Sequence, residues 1–508
     1  MRSSKIPSHK LPIQLLFYIS LFITHQSYSQ TQVSSSPLFP ESTNRLIGPV
    51  RADAMVREPG PKIALEHVTL FDGSGGPPRY DQTIVIDHDK IVAVGSSRDV
   101  VPSSGTKILN EKGKTLLPGL IGMHEHLFYP TAGGFRGQIA MYSEQGDSGP
   151  MLYLAAGITT ARTAGSINPY LDLNLRQAIE KGREAGPDLD VTGPYLEGSP
   201  TLQIPNHELS GPEDAKRTVM YWHEEGVTSF KAYMHITPSE LKASIDTAHQ
   251  FGAKITGHLC SVGFSEAAEM GIDNLEHGII VDTEFYSKKQ ADVCPDFEAS
   301  AREMEQSLEM RDPRVLKMIR TLVEHHVAVT STLDIFEMEI ADEPPLESLR
   351  TSHDAMAAAS WESYMKGRNF NESRKDGSRS EQLLRIEMEF EQEFVRQGGL
   401  LMAGCDPTGF GGVLPGFGDQ REMELLIKTG FSPAEAVKIY TSNAATYLGK
   451  QNAIGRVAVG MQADLLLLDG DFEHDSSVIR KPELVFKKGL GYDSERLFEA
   501  VKGEAGLR

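Results

Sequence analysis

Between residues 119 and 445 the chain repeats one pattern eight times, a short apolar run followed by an amphipathic stretch of helical period. The runs are "GLIGMHEHL", "GITTART", "DLDVTGPYL", "VTSFKAYMH", "KITGHLC", "NLEHGII", "HVAVTSTL" and "LLMAGCD". Runs this short and this apolar suit strands buried on both faces, and strands that alternate with helices pair in parallel. Eight such units predict an α/β fold of the (β/α)8 TIM-barrel type, with its site at the C-terminal ends of the strands. The longest irregular segments, 282–312 and 337–380, follow the sixth and seventh runs, where loops would cover the mouth. In the second of these, Trp361 and Tyr364 are suited to touching a ligand.

The flanks read differently. "KIALEHVTLFDG" and "QTIVIDHDKIVAVG" alternate apolar and polar residues around the turn-forming "GSGGPP", and the pattern returns in "GRVAVGMQADLLLLDGD" and "PELVFKKG". A small β-sandwich domain built from both chain ends, 62–118 and 446–508, explains this with the barrel at 119–445 inserted between. Residues 30–61 form a Ser- and Pro-rich linker. Ahead of it, Arg2, Lys5 and Lys10 precede the apolar run "LPIQLLFYISLFIT" and the pattern Ser27-Tyr28-Ser29, which reads as a signal peptide over 1–29 and a secreted or periplasmic location. The run is short for a membrane span, with a retained anchor as the alternative. The formal net charge of -20 argues against nucleic-acid or anionic-membrane partners, leaving a small-molecule substrate and a homo-oligomer open. With three cysteines, Cys260, Cys294 and Cys405, no disulfide framework is expected.

Chemistry-bearing residues gather at the strand ends. His124 and His126 lie two apart on an extended strand, so their side chains share a face while Glu125 points oppositely. Two neutral imidazoles can share a divalent metal, or simply meet water at a polar strand end. Downstream, Lys231 ends the fourth run, His258 the fifth, His277 the sixth and Asp406 the eighth. One buried histidine is more often a core residue than a ligand; six polar groups at strand ends favour a metal site.

In its order, His-x-His on strand one, Lys on four, His on five and six and Asp on eight, the chain resembles the amidohydrolase superfamily. The resemblance extends to "GFSPAEAVKIYTSNAATYLG" and "IGRVAVGMQADLLLLD", and is nearest to the imidazolonepropionase-like, prolidase-like branch. It implies two metal ions. His124, His126 and Asp406 would hold one, His258 and His277 the other, and Lys231 would bridge them as a carbamate formed with CO2. Such ligation suits Zn²⁺ best, without excluding Mn²⁺, Co²⁺ or Fe²⁺. A hydroxide between the ions would attack a carbonyl, and Asp406 would carry its proton to the leaving nitrogen. The expected reaction is hydrolysis of the amide of a dipeptide or N-acyl amino acid. Lactone, cyclic amide or phosphotriester hydrolysis is the alternative; Lys231 argues against a deaminase, and the complete ligand set against a silent binding protein.

Tyr233 and His235 share strand parity with Lys231, so Tyr233 can serve as a donor to the carbonyl oxygen or simply pack. Tyr195 and His207 are further candidates for the substrate pocket. The bland reading holds for "TAGGFRG", which lacks the phosphate-loop ending, and for Cys260 and Cys405 as small strand residues. His325 and His326 precede strand seven, away from the mouth. Thr163 stands where relatives often carry an acid after the strand-two Arg, so no supporting role is carried over for this strand, while the metal-ligand pattern is unaffected.

Overall fold

The eight apolar runs lie side by side as parallel strands. They are β1 (Leu120–Glu125), β2 (Ile158–Thr163), β3 in two pieces (Asp188–Asp190 and Thr192–Leu196), β4 (Ser229–Ala232), β5 (Lys254–Gly257), β6 (Asn274–Glu276), β7 (Ala328–Ser331) and β8 (Leu401–Ala403). In this computed structural model residues 52–130, 142–201, 206–338, 340, 350–373, 378–408 and 411–506 are described. The segment read from sequence as a signal peptide, most of the expected linker and "TAGGFRG" lie outside the described residues.

The strands neighbour one another in chain order, β1–β2–β3 in one sheet and β3 through β8 in another. A bridge between Ser166 and Pro194 links the two pieces. Beyond β8, the Asp406 amide donates to the His124 carbonyl at 2.9 Å, so the eighth strand returns to the first. This is a TIM-barrel-like α/β arrangement. Its strands are buried on both faces, so their sequences lack the apolar–polar alternation of a sheet with one wet face.

The intervening helices follow from local signals. Pro313–Glu324 begins with Asp312 accepting from the Arg314 amide and Pro313 in the first turn, and buries Val315, Met318, Ile319 and Leu322 on one face. Each of those side chains contributes about 1.5–3 kcal/mol on burial. Truncating Leu322 to Ala would cost about 2–5 kcal/mol. Pro238–Gln250 opens with a reciprocal capping box between Thr237 and Glu240.

Both chain ends meet in one nine-stranded sheet. Leu465–Leu468 pairs antiparallel with Thr115–Pro118 on one side and with Pro482–Lys487 on the other. Thr115–Pro118 pairs in turn with Lys62–Leu70. Ile63, Leu65, Ile84, Ile86, Leu465, Leu467, Leu484 and Phe486 form its core.

Two expectations about insertions change. Cys260 and Cys294 form a disulfide across a sequence separation of 34, so the insertion after β6 is tied to the end of β5. Cysteine number gave no hint of this, because the pairing depends on where the insertion folds back. In the segment after β7, Trp361 and Tyr364 lie on the helix Ala358–Ser373 and pack against each other and against the main core. Tyr364 is buried, so packing is the role the structure gives it, while 341–349 and 374–377 lie outside the described residues. Among the described residues, no helix is long and apolar enough to cross a membrane.

Candidate active site

The C-terminal ends of the strands bring the histidines, Lys231 and Asp406 together. His126 Nε2 stands 3.2 Å from Asp406 Oδ1, His124 Nε2 3.7 Å from the same oxygen, and His277 Nδ1 3.9 Å from Asp406 Oδ2. Lys231 Nζ lies 3.1 Å from His124 Nε2. The His258 ring, half-buried, sits 4.5 Å from that of His277 between ring centroids. His124, His277 and Asp406 each offer a ligand atom within 4.8 Å of the others. His277 and Asp406 hold φ of 68° and 46°, a left-handed conformation uncommon for such residues and typical of sites whose surroundings fix a side chain's aim.

Burial sets the protonation states. It lowers the His124 pKa to about 4, with Lys231 adding to the effect, and that of His258 to about 3. Burial also lowers Lys231 to about 8, against the pull of Glu276 and Asp406. Burial disfavours the Asp406 carboxylate, but His124, His126 and His277 outweigh it and hold the pKa well below the ordinary range. Neutral imidazoles around an ionised carboxylate are the donor set a divalent transition metal takes, so these residues fit the metal that the sequence pattern implies.

Behind this set lies a network the sequence reading missed. Glu276 Oε2 accepts from His124 Nδ1 at 2.8 Å, and Glu276 Oε1 accepts from Arg162 at 2.7 Å, from Asn274 Nδ2 at 3.0 Å and from Thr256 Oγ1. Arg162, fully buried, also donates from Nε to the Met123 carbonyl at 2.7 Å. The partner of Arg162 thus comes from β6, while Thr163 Oγ1 accepts from the Thr192 amide and ties β2 to β3. A signal was present: Asn274 and Glu276 are polar residues at the same parity of one short strand, both buried. His126 and His277 are aimed similarly, through Nδ1 contacts to the Gly165 carbonyl at 3.1 Å and to Thr332 Oγ1 at 2.8 Å.

Tyr233 is half-buried, its ring 5.1 Å from His258 and 4.8 Å from Tyr195. Tyr195 is buried, and Lys231 Nζ lies over its ring at 5.7 Å. Both tyrosines therefore border the cluster. His235 sits further out, its amide donating to Glu197 Oε1 at 2.8 Å and its Nδ1 3.8 Å from that oxygen. Glu197, just beyond β3 and absent from the sequence reading, is buried, which raises its pKa to about 7. His207 is not brought to the cluster: its exposed ring pairs with Asp214 at 2.8 Å. His325 and His326 lie exposed at the opposite end of β7.

The fold and donor set define a metal-dependent hydrolase. The chain belongs to the amidohydrolase family, whose model matches residues 115–490. As a member it is a hydrolase acting on carbon–nitrogen bonds. Among solved structures, it is similar to a putative prolidase from Bifidobacterium longum, at 22% identity over 87% of this chain and 98% of that one, with a TM-score of 0.62. A Xaa-Pro dipeptidase with methionine bound in its active site shares 18% identity over 85% and 100% of the two chains, with a TM-score of 0.62. The ochratoxinase of A. niger shares 17% over 86% and 96%, with a TM-score of 0.59. Comparison with curated protein sequences finds no match.

Proposed function

We propose that the chain is a secreted or periplasmic binuclear amidohydrolase of the prolidase-like branch, cleaving the amide of a dipeptide or N-acyl amino acid. The observation that carries this reading is the convergence of His124, His126, Lys231, His258, His277 and Asp406 at one barrel mouth. The prolidase and dipeptidase among the similar structures support the substrate class. The Cys260–Cys294 disulfide supports an oxidising location, where such bonds persist, in keeping with a signal peptide at 1–29. In this reading 119–445 closes as a (β/α)8 barrel, 62–118 with 446–508 forms the small β-sandwich domain, and 30–61 is a linker.

Two divalent ions, Zn²⁺ best suited, would supply an acidified water and a Lewis acid for the carbonyl. His124, His126 and Asp406 would hold one and His258 and His277 the other. Lys231, with its lowered pKa, is more readily the neutral amine, which would add CO2 and lose a proton to give a carbamate able to join the ligand set. Asp406 accepts the proton of the attacking water and returns it to the leaving nitrogen. The Tyr233 hydroxyl donates to the carbonyl oxygen as negative charge develops there, its ring braced by Tyr195. Glu197 and His235, at the rim, contact the remainder of the substrate.

The test is a screen of Zn²⁺-loaded protein against dipeptide and N-acyl amino acid libraries. Turnover of members of either library is expected. Turnover of none of them, with turnover of lactones or organophosphates, would overturn the amidase reading.

A further inference from the structure

On the outer side of β1 and β8, away from the histidine cluster, lies a second group of ligating side chains, of which Asp419 also accepts from the Gly416 amide at 3.2 Å and from the Tyr440 hydroxyl at 3.4 Å. Glu125 points away from His124 and His126 and is fully buried. Its Oε2 accepts from Cys405 Sγ at 3.1 Å, and its Oε1 has no hydrogen-bond partner. Glu125, Cys405 and Asp419 each offer a ligand atom within 4.8 Å of the others, all buried. Asp419 lies on the helix Phe417–Thr429, which follows β8, so the group occupies the layer between barrel wall and helix where apolar packing is usual.

Asp334 adds a fourth carboxyl, 3% exposed and with neither oxygen hydrogen-bonded. It faces the same space: a Cβ at Gly418 would lie 2.6 Å from both Asp334 Oδ2 and Cys405 Cβ. A Cβ at Gly404 would lie 2.9 Å from Glu125 Oε1. Gly404 also lets β8 approach β1, since its Cβ would lie 2.2 Å from the His124 nitrogen, and both glycines bring backbone close beside the two unpartnered carboxyls. A metal ion would supply the partners that Glu125 Oε1 and both Asp334 oxygens lack.

We propose that Glu125, Cys405 and Asp419, with Asp334 alongside, form a structural metal site separate from the histidine cluster, taking a thiophilic divalent cation of the zinc class. As the sulfur–metal bond forms, the Cys405 thiol proton leaves to solvent. The ion would pin the helix Phe417–Thr429 to the strand ends that carry His124, His126 and Asp406. The inference does not depend on how many ions the histidine cluster holds.

Cobalt is the probe. Cys260 and Cys294 are joined, so Cys405 is the one free thiol in the chain and the one source of a thiolate–cobalt charge-transfer band. Full-length protein, stripped with chelator and saturated with Co²⁺, is expected to show that band in the near ultraviolet. Cys405→Ala should abolish it and bind one fewer cobalt per chain. If Cys405→Ala does not fold, Cys405→Ser, which keeps the side chain's size, should lose the band in the same way. Cobalt-saturated wild-type protein without the band overturns the proposal, and so does a band that survives loss of the Cys405 sulfur.

Discussion

Replacing Glu276 with Gln separates the aiming of a ligand from the general upkeep of the fold. The substitution keeps the side chain's shape but removes the charge that Arg162, His124, Asn274 and Thr256 all address. Arg162 would be left as a fully buried guanidinium without its counter-ion, and breaking such a pair by removing one partner costs about 3–5 kcal/mol. The second effect is on His124, whose Nδ1 would lose a carboxylate acceptor. Loss of such an acceptor typically lowers metal affinity about 10–100-fold. Urea unfolding measures the first effect, and metal competition with a chromophoric chelator the second. The double variant Glu276→Gln/Arg162→Met removes the stranded cation and should recover part of the stability without recovering the metal affinity. If Glu276→Gln binds metal as tightly as wild type, Glu276 does not orient His124 and the argument fails.

Asp406→Asn, refilled with metal, should lose about 10²–10⁴ in kcat, the usual contribution of a positioned proton-transfer group, whereas His277→Asn should regain more activity with added metal; equal recovery would remove Asp406 from proton transfer. Cys260→Ser opens the disulfide, and closure of a loop of 34 residues corresponds to about 3–4 kcal/mol, read as a lower urea midpoint that reductant reproduces in wild type. Burial raises the Asp464 pKa from 3.8 to about 6, so the folded state holds a proton that the unfolded chain gives up first. Stability should therefore fall as pH rises through that interval, by at most about 3 kcal/mol, and Asp464→Asn should flatten the slope.

The strands were legible because burial on both faces leaves an unmistakable apolar run, and their terminal polar residues stood out against it. His124, His126, Lys231, His277 and Asp406 were found this way, and the structure brings them within hydrogen-bonding or ligand distance. Pairings between distant strands were not legible. Arg162 finds Glu276 four strands away, which no spacing announces. Cys260 and Cys294 meet only because an insertion doubles back. His207 was placed by its proximity in sequence to Tyr195, but the loop carrying it turns to Asp214 at the surface. Trp361 and Tyr364 show the same limit, since aromatic residues suit a ligand and a core equally well.

The sheet shared by both ends of the chain sets an order of events during synthesis. Pro118 pairs with Leu465, about 350 residues later, which at 5–20 residues per second reaches the ribosome exit roughly 20–70 s afterwards. Through that interval Thr115–Pro118 has an unsatisfied edge, and an open apolar edge is what recruits other strands. The nascent chain therefore spends most of its translation with a sticky, half-made sheet, and a chaperone that shields it would decide the yield of folded protein.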